Sequence, residues 1–447
     1  MAKLAVVGCG HVGLVVGACF AELGHRVECI DIDAVRVEQL QRGITPLHEP
    51  GLDELIRSGL DSGRLRFRAG FPAELDATIV FVAVNTPSST EGAANLRAVR
   101  DAIAALAQCI RPDTVIVNKS TVPIGTGDTV EFIAQRGGAL RVSVLSNPEF
   151  LQEGSAVHNF MVPDRVVLGS NDPSAIERVA ALYEPLGAPI IRTDIRTAEM
   201  IKYASNAFLA TKVSFINEIA AICEAVDADV NEVARGMGAD PRIGPAFLRA
   251  GLGWGGSCFP KDVQSLAHIA SAQGTHPQLL RSVLEINSDQ RRRTLQKVRQ
   301  ALGGLDGRRV LVLGAAFKPN TDDIRHSPAL EFADLLQLEG AEVRVLDPAV
   351  TEARIRAEYP WLTVATTLLE GAAGVDAIVL ATEWDEFREL PYAALRAVVA
   401  RPLIVDARNA LDGDAASAAG FEYRCIGRPA AERRPALPQL ITAGAGS

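Results

Sequence analysis

The stretch Lys3-Leu4-Ala5-Val6-Val7-Gly8-Cys9-Gly10-His11-Val12-Gly13 decides the fold. A short apolar run ends at Gly8, and a segment of helical periodicity, Val12 to Leu23, follows until Gly24 stops it. In this G-x-G-x-x-G turn the first glycine permits a tight bend, the second lets backbone approach a pyrophosphate, and the third lets helix and strand pack closely. The helix start then offers unpaired N–H groups to phosphate oxygens. A second strand, Arg26 to Asp31, ends on a carboxylate 18 residues beyond Gly13. A carboxylate there accepts hydrogen bonds from a ribose diol and repels a 2'-phosphate. Strand, turn, helix and acid in this order predict a dinucleotide site built by Gly8, Gly10, Val12, Gly13 and Asp31, with NAD favoured over NADP. Arg36, five residues past Asp31, is either a stacking partner near the adenosine or a solvated charge on a helix face.

Working outward, apolar runs at Thr78 to Val84, Thr114 to Asn118, Val142 to Ser146 and Arg165 to Gly169 alternate with helical stretches, the pattern of βαβ units and a parallel sheet. From Thr197 to Asp227 no Gly or Pro interrupts the chain, and Ile201, Ala204, Phe208, Val213, Phe215, Ile216 and Ile219 recur at helix-like spacing. This predicts one long helix acting as a spine between domains. Helical sequence continues to Gly303, broken by a glycine-rich stretch at Gly251 to Gly256. A second α/β pattern follows: Arg309 to Leu313 closed by Gly314, Glu342 to Leu346 followed by Asp347, then Ala377 to Ala381 and Leu403 to Val405. The expected fold is α/β, with two Rossmann-like doubly wound parallel sheets joined by a central helical domain. Its expected divisions are 1–196 for the dinucleotide, 197–303 for the helical domain, 304–430 for the second sheet, and a frayed tail over 431–447.

Composition narrows the function classes. The chain has 447 residues, long enough for two or three domains. Acidic residues outnumber basic ones, 54 to 45, for a net charge of -9, which argues against a nucleic-acid surface. No apolar run reaches the ~20 residues of a membrane helix, and the N-terminus lacks the parts of a signal peptide. A cytoplasmic protein without membrane association is expected. The seven cysteines are scattered, with no metal-type CxxC pair, so free thiols in a reducing compartment and no metal are expected.

Four further segments carry unusual polar groups. Lys119-Ser120-Thr121-Val122-Pro123 and Asn147-Pro148-Glu149-Phe150-Leu151-Gln152-Glu153-Gly154 each follow a buried strand at the carboxyl end of the sheet, where such folds bind ligands. Lys202 and Asn206 lie four apart on one face of the long helix. Gly253-Trp254-Gly255-Gly256-Ser257-Cys258-Phe259-Pro260-Lys261-Asp262 presents a thiol and, four residues on, a carboxylate. Singly, most of these read as surface charges or ordinary packing. A thiol inside a glycine-rich loop is the exception, because core packing explains it poorly.

With these segments in hand the chain resembles the UDP-glucose and GDP-mannose dehydrogenases from Gly8 to about Arg408. The resemblance is carried by the glycine turn, the string Ser146 to Gly154, the helix Lys202 to Lys212, the G-G-S-C-F-P-K-D loop, and Phe317-Lys318-Pro319-Asn320-Thr321-Asp322-Asp323-Ile324-Arg325. Gln152 departs from the basic residue frequent at that place in relatives, and Trp254 stands where Tyr or Phe is usual.

The resemblance implies a four-electron oxidation of a sugar CH2OH to a carboxylate with two NAD. Cys258 would hold the intermediate aldehyde as a thiohemiacetal and then as a thioester that water hydrolyses. It implies that Lys202 stabilises the developing alkoxide and oxyanion. Asp262 and Thr121 would hold or activate a water, Asn206 would orient the substrate oxygen, and Glu153 would act as base beside the nicotinamide. Thr86, Thr121 and Arg325 would also touch NAD. Glu149 would lie near the sugar, and Lys318 and Arg408 would reach the sugar or its phosphates. The segment from Phe247 through Gly255 to Gly256 would wrap the uridine diphosphate through its backbone. Arg242 would reach the neighbouring active site of a homodimer. UDP-glucose is the implied substrate, with GDP-mannose or a UDP-N-acetylhexosamine as alternatives. A non-catalytic nucleotide-sugar-binding protein fits less well, because Cys258, Lys202 and Asp262 are all kept.

Overall fold

The computed structural model describes residues 1–87, 92–139 and 141–428. The expected tail 431–447, with the last two residues of the 304–430 division, lies outside the described residues. The chain forms two compact units. One comprises Met1–Ala210, Gly255–Leu284 and Lys318–Arg325; the other comprises Thr211–Trp254, Glu285–Phe317 and the chain from His326 onward.

The first unit is built on an eight-stranded sheet. Its strands are β1 (Lys3–Val7), β2 (Arg26–Asp31), β3 (Leu65–Ala69), β4 (Ile79–Val82), β5 (Thr114–Asn118), β6 (Val142–Ser146), β7 (Val166–Ser170) and β8 (Ile190–Thr193). They lie in the order β3-β2-β1-β4-β5-β6-β7-β8, so the direction of winding reverses between β1 and β4. Alternation along β1 sends Leu4 and Val6 to one face, with Phe20, Phe81 and Tyr183. Ala5 and Val7 go to the other, with Val80, Val82 and Ile116. Both faces are therefore dry, which explains the continuous apolar runs. The helix His11–Glu22 buries every residue from Gly13 to Ala21 on this sheet.

One pairing in the first sheet departs from the parallel pattern: β7 pairs antiparallel with β6. The link between them holds only the helix Ala156–Met161. Six residues of helix reach about 9 Å, whereas a five-residue strand is about 17 Å long. The link is poorly suited to recross the sheet, and β7 runs back from the end where β6 stopped.

The second unit carries a six-stranded, all-parallel sheet in the order β11-β10-β9-β12-β13-β14. Its members are β9 (Arg309–Leu313), β10 (Glu342–Leu346), β11 (Thr363–Val364), β12 (Ala377–Leu380), β13 (Leu403–Asp406) and β14 (Glu422–Cys425). The long helix runs Ile195–Ala225, two residues earlier at each end than its periodicity predicts. The helices Val230–Gly238, Phe259–Ala272 and Gln278–Leu302 complete the central helical region. Sequence reading missed β3, β8, β11 and β14, which are the edges of the two sheets. Edge strands are half-solvated and carry Arg66, Arg68, Arg192, Glu422 and Arg424, so no apolar run marks them. Among the described residues no helix is long and apolar enough to cross a membrane.

Candidate active site

The glycine turn has the geometry its sequence predicts. Gly8 sits at φ +99°, and a Cβ there would lie 2.6 Å from the Ala83 carbonyl oxygen. A Cβ on Gly13 would lie 1.9 Å from the Gly8 oxygen, so no side chain fits while helix and turn stay packed. At Gly10, by contrast, the only neighbour of an added Cβ is Asn85 Oδ1 at 3.9 Å. The helix that starts there has no capping side chain and no acid in its first turn. Open space beside an uncapped helix start fits the pyrophosphate of a dinucleotide. Asp31 accepts from the Cys9 N–H at 2.6 Å and from the Asp33 N–H at 2.9 Å. It thus holds the turn as well as ending β2. Arg36 lies 4.0 Å from Asp33 with its side chain 38% exposed. Thr86 Oγ1 donates to the Thr121 carbonyl at 2.7 Å, tying the loops after β4 and β5 together.

A second cluster forms where the loop after β6, the long helix and the head of helix Phe259–Ala272 meet. Lys202 Nζ donates to Glu149 Oε1 at 2.8 Å, with both side chains at most 6% exposed. Glu149 Oε2 accepts from the Leu151 N–H at 2.6 Å. Burial opposes charge on both groups. Lys202 and Lys119 nevertheless hold Glu149 below the usual carboxylate range, and Glu149, Cys258 and Asp262 hold Lys202 above the usual lysine range. The pair is therefore ionised. Four residues along the same helix face, Asn206 Nδ2 donates to Asp262 Oδ2 at 2.6 Å. Asp262 is fully buried, and its other oxygen accepts from Lys261 at 2.5 Å. Cys258 is the residue that leads into this helix. Burial and the Glu149 carboxylate push its thiol up to about 11, while Lys202 pulls the other way.

Glu153 joins the cluster from the loop after β6. Its Oε1 accepts from Ser257 Oγ at 3.1 Å and from Arg325 Nη2 at 3.2 Å. Its Oε2 is buried, and the Asp323 carboxylate lies beside Glu153. Arg325 also grips Asp323, from Nη2 at 2.7 Å and Nε at 2.9 Å. Lys318 belongs to the same unit. Burial pulls its ammonium below the usual range, against the opposing charges of Glu153, Glu49 and Cys258.

The remaining predicted contacts divide between the units. Gly255 is buried at the start of the thiol loop, in the first unit. Arg242, Phe247 and Arg408 belong to the second. Arg408, just past β13, clasps Glu383 with two bonds of 2.6 and 2.9 Å. Phe247 takes a left-handed conformation, φ +63°, strained for a bulky residue. Arg242 is 88% exposed and pairs with Asp240 at 2.6 Å.

Sequence reading missed several supporting groups. Buried Glu49 accepts from the Gly154 and Ala156 N–H groups at 2.8 and 2.7 Å and from His11 at 2.7 Å. It thereby pins the loop that carries Glu149 and Glu153. Lys119, read as part of a segment but given no role, donates to Asn147 Oδ1 at 2.9 Å. Burial, with Lys202 nearby, pulls it down to about 7. Ser257 and Asp323 stood inside quoted motifs without a part to play. The one sequence signal for Glu49 is its place in His48-Glu49-Pro50-Gly51, an acid next to a turn.

The description "UDP-glucose/GDP-mannose dehydrogenase family, NAD binding domain" matches residues 2–187. The central domain of that family matches 196–289, and its UDP binding domain matches 311–413. The chain is 45% identical over 431 residues to UDP-glucose 6-dehydrogenase YwqF of Bacillus subtilis, covering 96% of this chain and 98% of that one. It is 45% identical over 436 residues to a UDP-glucose 6-dehydrogenase of Rhizobium meliloti, covering 96% and 100%. Among solved structures, a UDP-glucose dehydrogenase from Pyrobaculum islandicum superposes with TM-score 0.88 at 38% identity, covering 95% of this chain and 97% of that one. A UDP-D-ManNAc dehydrogenase from Pyrococcus horikoshii gives 0.86 at 26%, covering 95% and 99%. With an NAD-type turn, a buried thiol cluster and all three family domains in order, the chain belongs to the UDP-glucose/GDP-mannose dehydrogenase family.

Proposed function

We propose that this chain is an NAD-dependent UDP-glucose 6-dehydrogenase, converting UDP-glucose, two NAD and water to UDP-glucuronate and two NADH. The observation that carries the reading is Cys258, set at the head of a helix beside the Lys202–Glu149 and Asn206–Asp262 pairs. Relatives that are 45% identical over nearly their whole length are UDP-glucose 6-dehydrogenases, whereas the UDP-D-ManNAc dehydrogenase is 26% identical. That difference supports UDP-glucose over a UDP-N-acetylhexosamine or GDP-mannose.

NAD, when bound, supplies the hydride acceptor for both oxidations. Gly8, Gly10, Val12 and Gly13 hold its pyrophosphate, Asp31 its ribose and Arg36 its adenosine side, while Thr86, Thr121, Glu153 and Arg325 complete its contacts. The ionised Lys202 ammonium stabilises negative charge on the C6 oxygen. Glu149 keeps that ammonium charged and aimed. Asn206, fixed by Asp262, orients the same oxygen, and Asp262 with Thr121 holds the hydrolytic water. Cys258 retains the aldehyde carbon as a thiohemiacetal and, one oxidation level higher, as a thioester that water cleaves. A free aldehyde would hydrate and escape. Lys318, Arg408 and the segment from Phe247 to Gly255 bind the nucleotide sugar.

The proposed division of labour is 1–196 for NAD, 197–303 for dimerisation and 304–430 for the UDP-sugar. Homodimerisation is supported by Phe208, Phe215 and Ile222, which recur every seven residues on the long helix and are 63, 42 and 53% exposed. It is also supported by Arg242, whose side chain is 88% exposed. Seven free cysteines support a cytoplasmic location, and the uronate product suits polysaccharide assembly.

The test is to mix the protein with UDP-glucose and NAD and count NADH per sugar at 340 nm. Two NADH are expected. One NADH would mean that oxidation stops at the aldehyde, and two with another nucleotide sugar alone would change the substrate.

A further inference from the structure

We propose that Ser257 carries the thiol proton of Cys258 to the carboxylate of Glu153, so that the sulfur adds to the aldehyde as a thiolate. Ser257 Oγ lies 3.6 Å from Cys258 Sγ and donates to Glu153 Oε1 at 3.1 Å. One hydroxyl thus touches both the nucleophile and a carboxylate. The proposal rests on the reading of Cys258 as nucleophile and Glu153 as base given above, and it goes further by making Ser257 the relay between them.

The thiol needs such a base. At a value of about 11, it is almost wholly protonated at neutral pH, and the nucleophile is the thiolate. Glu149 is poorly suited to accept the proton, because Lys202 and the Leu151 N–H hold it ionised. Glu153 is better suited. Burial and the neighbouring Asp323 carboxylate push it above the ordinary carboxylate range, with Arg325 and His11 opposing. Arg325 bridges Glu153 and Asp323, at 3.2 and 2.7 Å, and so fixes the carboxylate that Ser257 meets.

The step balances without an oxidant. The S–H bond of Cys258 breaks and its proton passes to Ser257 Oγ, while the Ser257 O–H proton moves to Glu153 Oε1. The sulfur electron pair forms the C–S bond, and the carbonyl π pair moves to oxygen, where Lys202 holds the alkoxide. When water later cleaves the thioester, the departing thiolate takes the proton back along the same path.

The experiment is single-turnover oxidation of UDP-glucose by the full-length protein, comparing wild type, Ser257→Ala, Ser257→Thr and Glu153→Gln from pH 6 to 10. In Ser257→Ala the second NADH should form about 100-fold more slowly relative to the first than in wild type. The deficit should shrink toward pH 10 as bulk base removes the proton, and Ser257→Thr should restore the rate. An unchanged ratio in Ser257→Ala, or a deficit equal at every pH, overturns the relay. If wild type makes no NADH from any nucleotide sugar, the enzymatic reading fails by itself, and iodoacetamide alkylation of Cys258 then decides the relay. Slower alkylation at pH 7 in Ser257→Ala and Glu153→Gln but not in Ser257→Thr supports it, and equal rates refute it.

Discussion

Lys202 and Glu149 form an ion pair of 2.8 Å that is almost wholly shut from solvent, and each partner holds the other charged. Breaking such a pair strands a buried charge, at about 3–5 kcal/mol. Lys202→Met should therefore lower stability by about that amount and turnover by at least 100-fold. The double variant Lys202→Met/Glu149→Leu should recover most of the stability and none of the activity. Urea denaturation and NADH production measure the two separately. A double variant no more stable than the single one would show that charge stranding is not the cause.

Cys258→Ser should abolish UDP-glucuronate formation while leaving stability within about 1 kcal/mol, since the change is nearly isosteric. Product analysis by mass spectrometry checks this. Uronate formed at the wild-type rate would remove the covalent step from the mechanism.

Gly13→Ala places a methyl 1.9 Å from the Gly8 carbonyl oxygen. Backbone cannot yield there without moving the turn away from the helix, so at least a 10-fold weaker Kd for NAD and a loss of about 1–3 kcal/mol in stability are expected. Gly10→Ala, with open space around its Cβ, should keep the fold and lose NAD affinity alone. Calorimetric titration with NAD, beside thermal melts, distinguishes the two. Equal behaviour of both variants contradicts the assignment.

Glu49→Ala orphans two N–H groups, of Gly154 and Ala156. Each buried orphan costs about 1–3 kcal/mol. The variant should unfold at lower urea and, because the loop it pins carries Glu149 and Glu153, show a lower kcat. A wild-type midpoint would mean that the loop is held by other contacts.

Lys119 gives a pH signature. Its folded value of about 7 lies below its ordinary 10.5, so between those values the unfolded chain binds more protons. Its contribution to stability is fully present above the ordinary value and is lost as pH falls toward 7. The stability difference between wild type and Lys119→Met should thus shift in favour of wild type from pH 7 to 10 and be flat below 7. A flat difference across the whole range would place Lys119 in solvent or leave it charged throughout.

Much of this was legible in the chain itself, for a physical reason: local patterns are written by local constraints. The glycine turn, Asp31 at the end of β2, the unbroken helix and the doubly buried central strands all follow from steric limits and apolar periodicity within a few residues. Cys258 could be nominated from the residues themselves, because a thiol among glycines has few structural uses, and the other groups of the site by resemblance to the family. What the tertiary structure alone decided is which charges face each other. Lys202 meets Glu149 across 53 residues and Asn206 meets Asp262 across 56, and no periodicity links such positions. Glu49 and Ser257 became visible only once buried backbone N–H groups and a sulfur needed partners. The edge strands and the reversal of β7 belong to the same class, because they depend on what lies beside them in space. The sequence by itself determined the fold class and the inventory of reactive groups. Folding decided their pairing, and therefore which are charged, which are held neutral and which proton each can move.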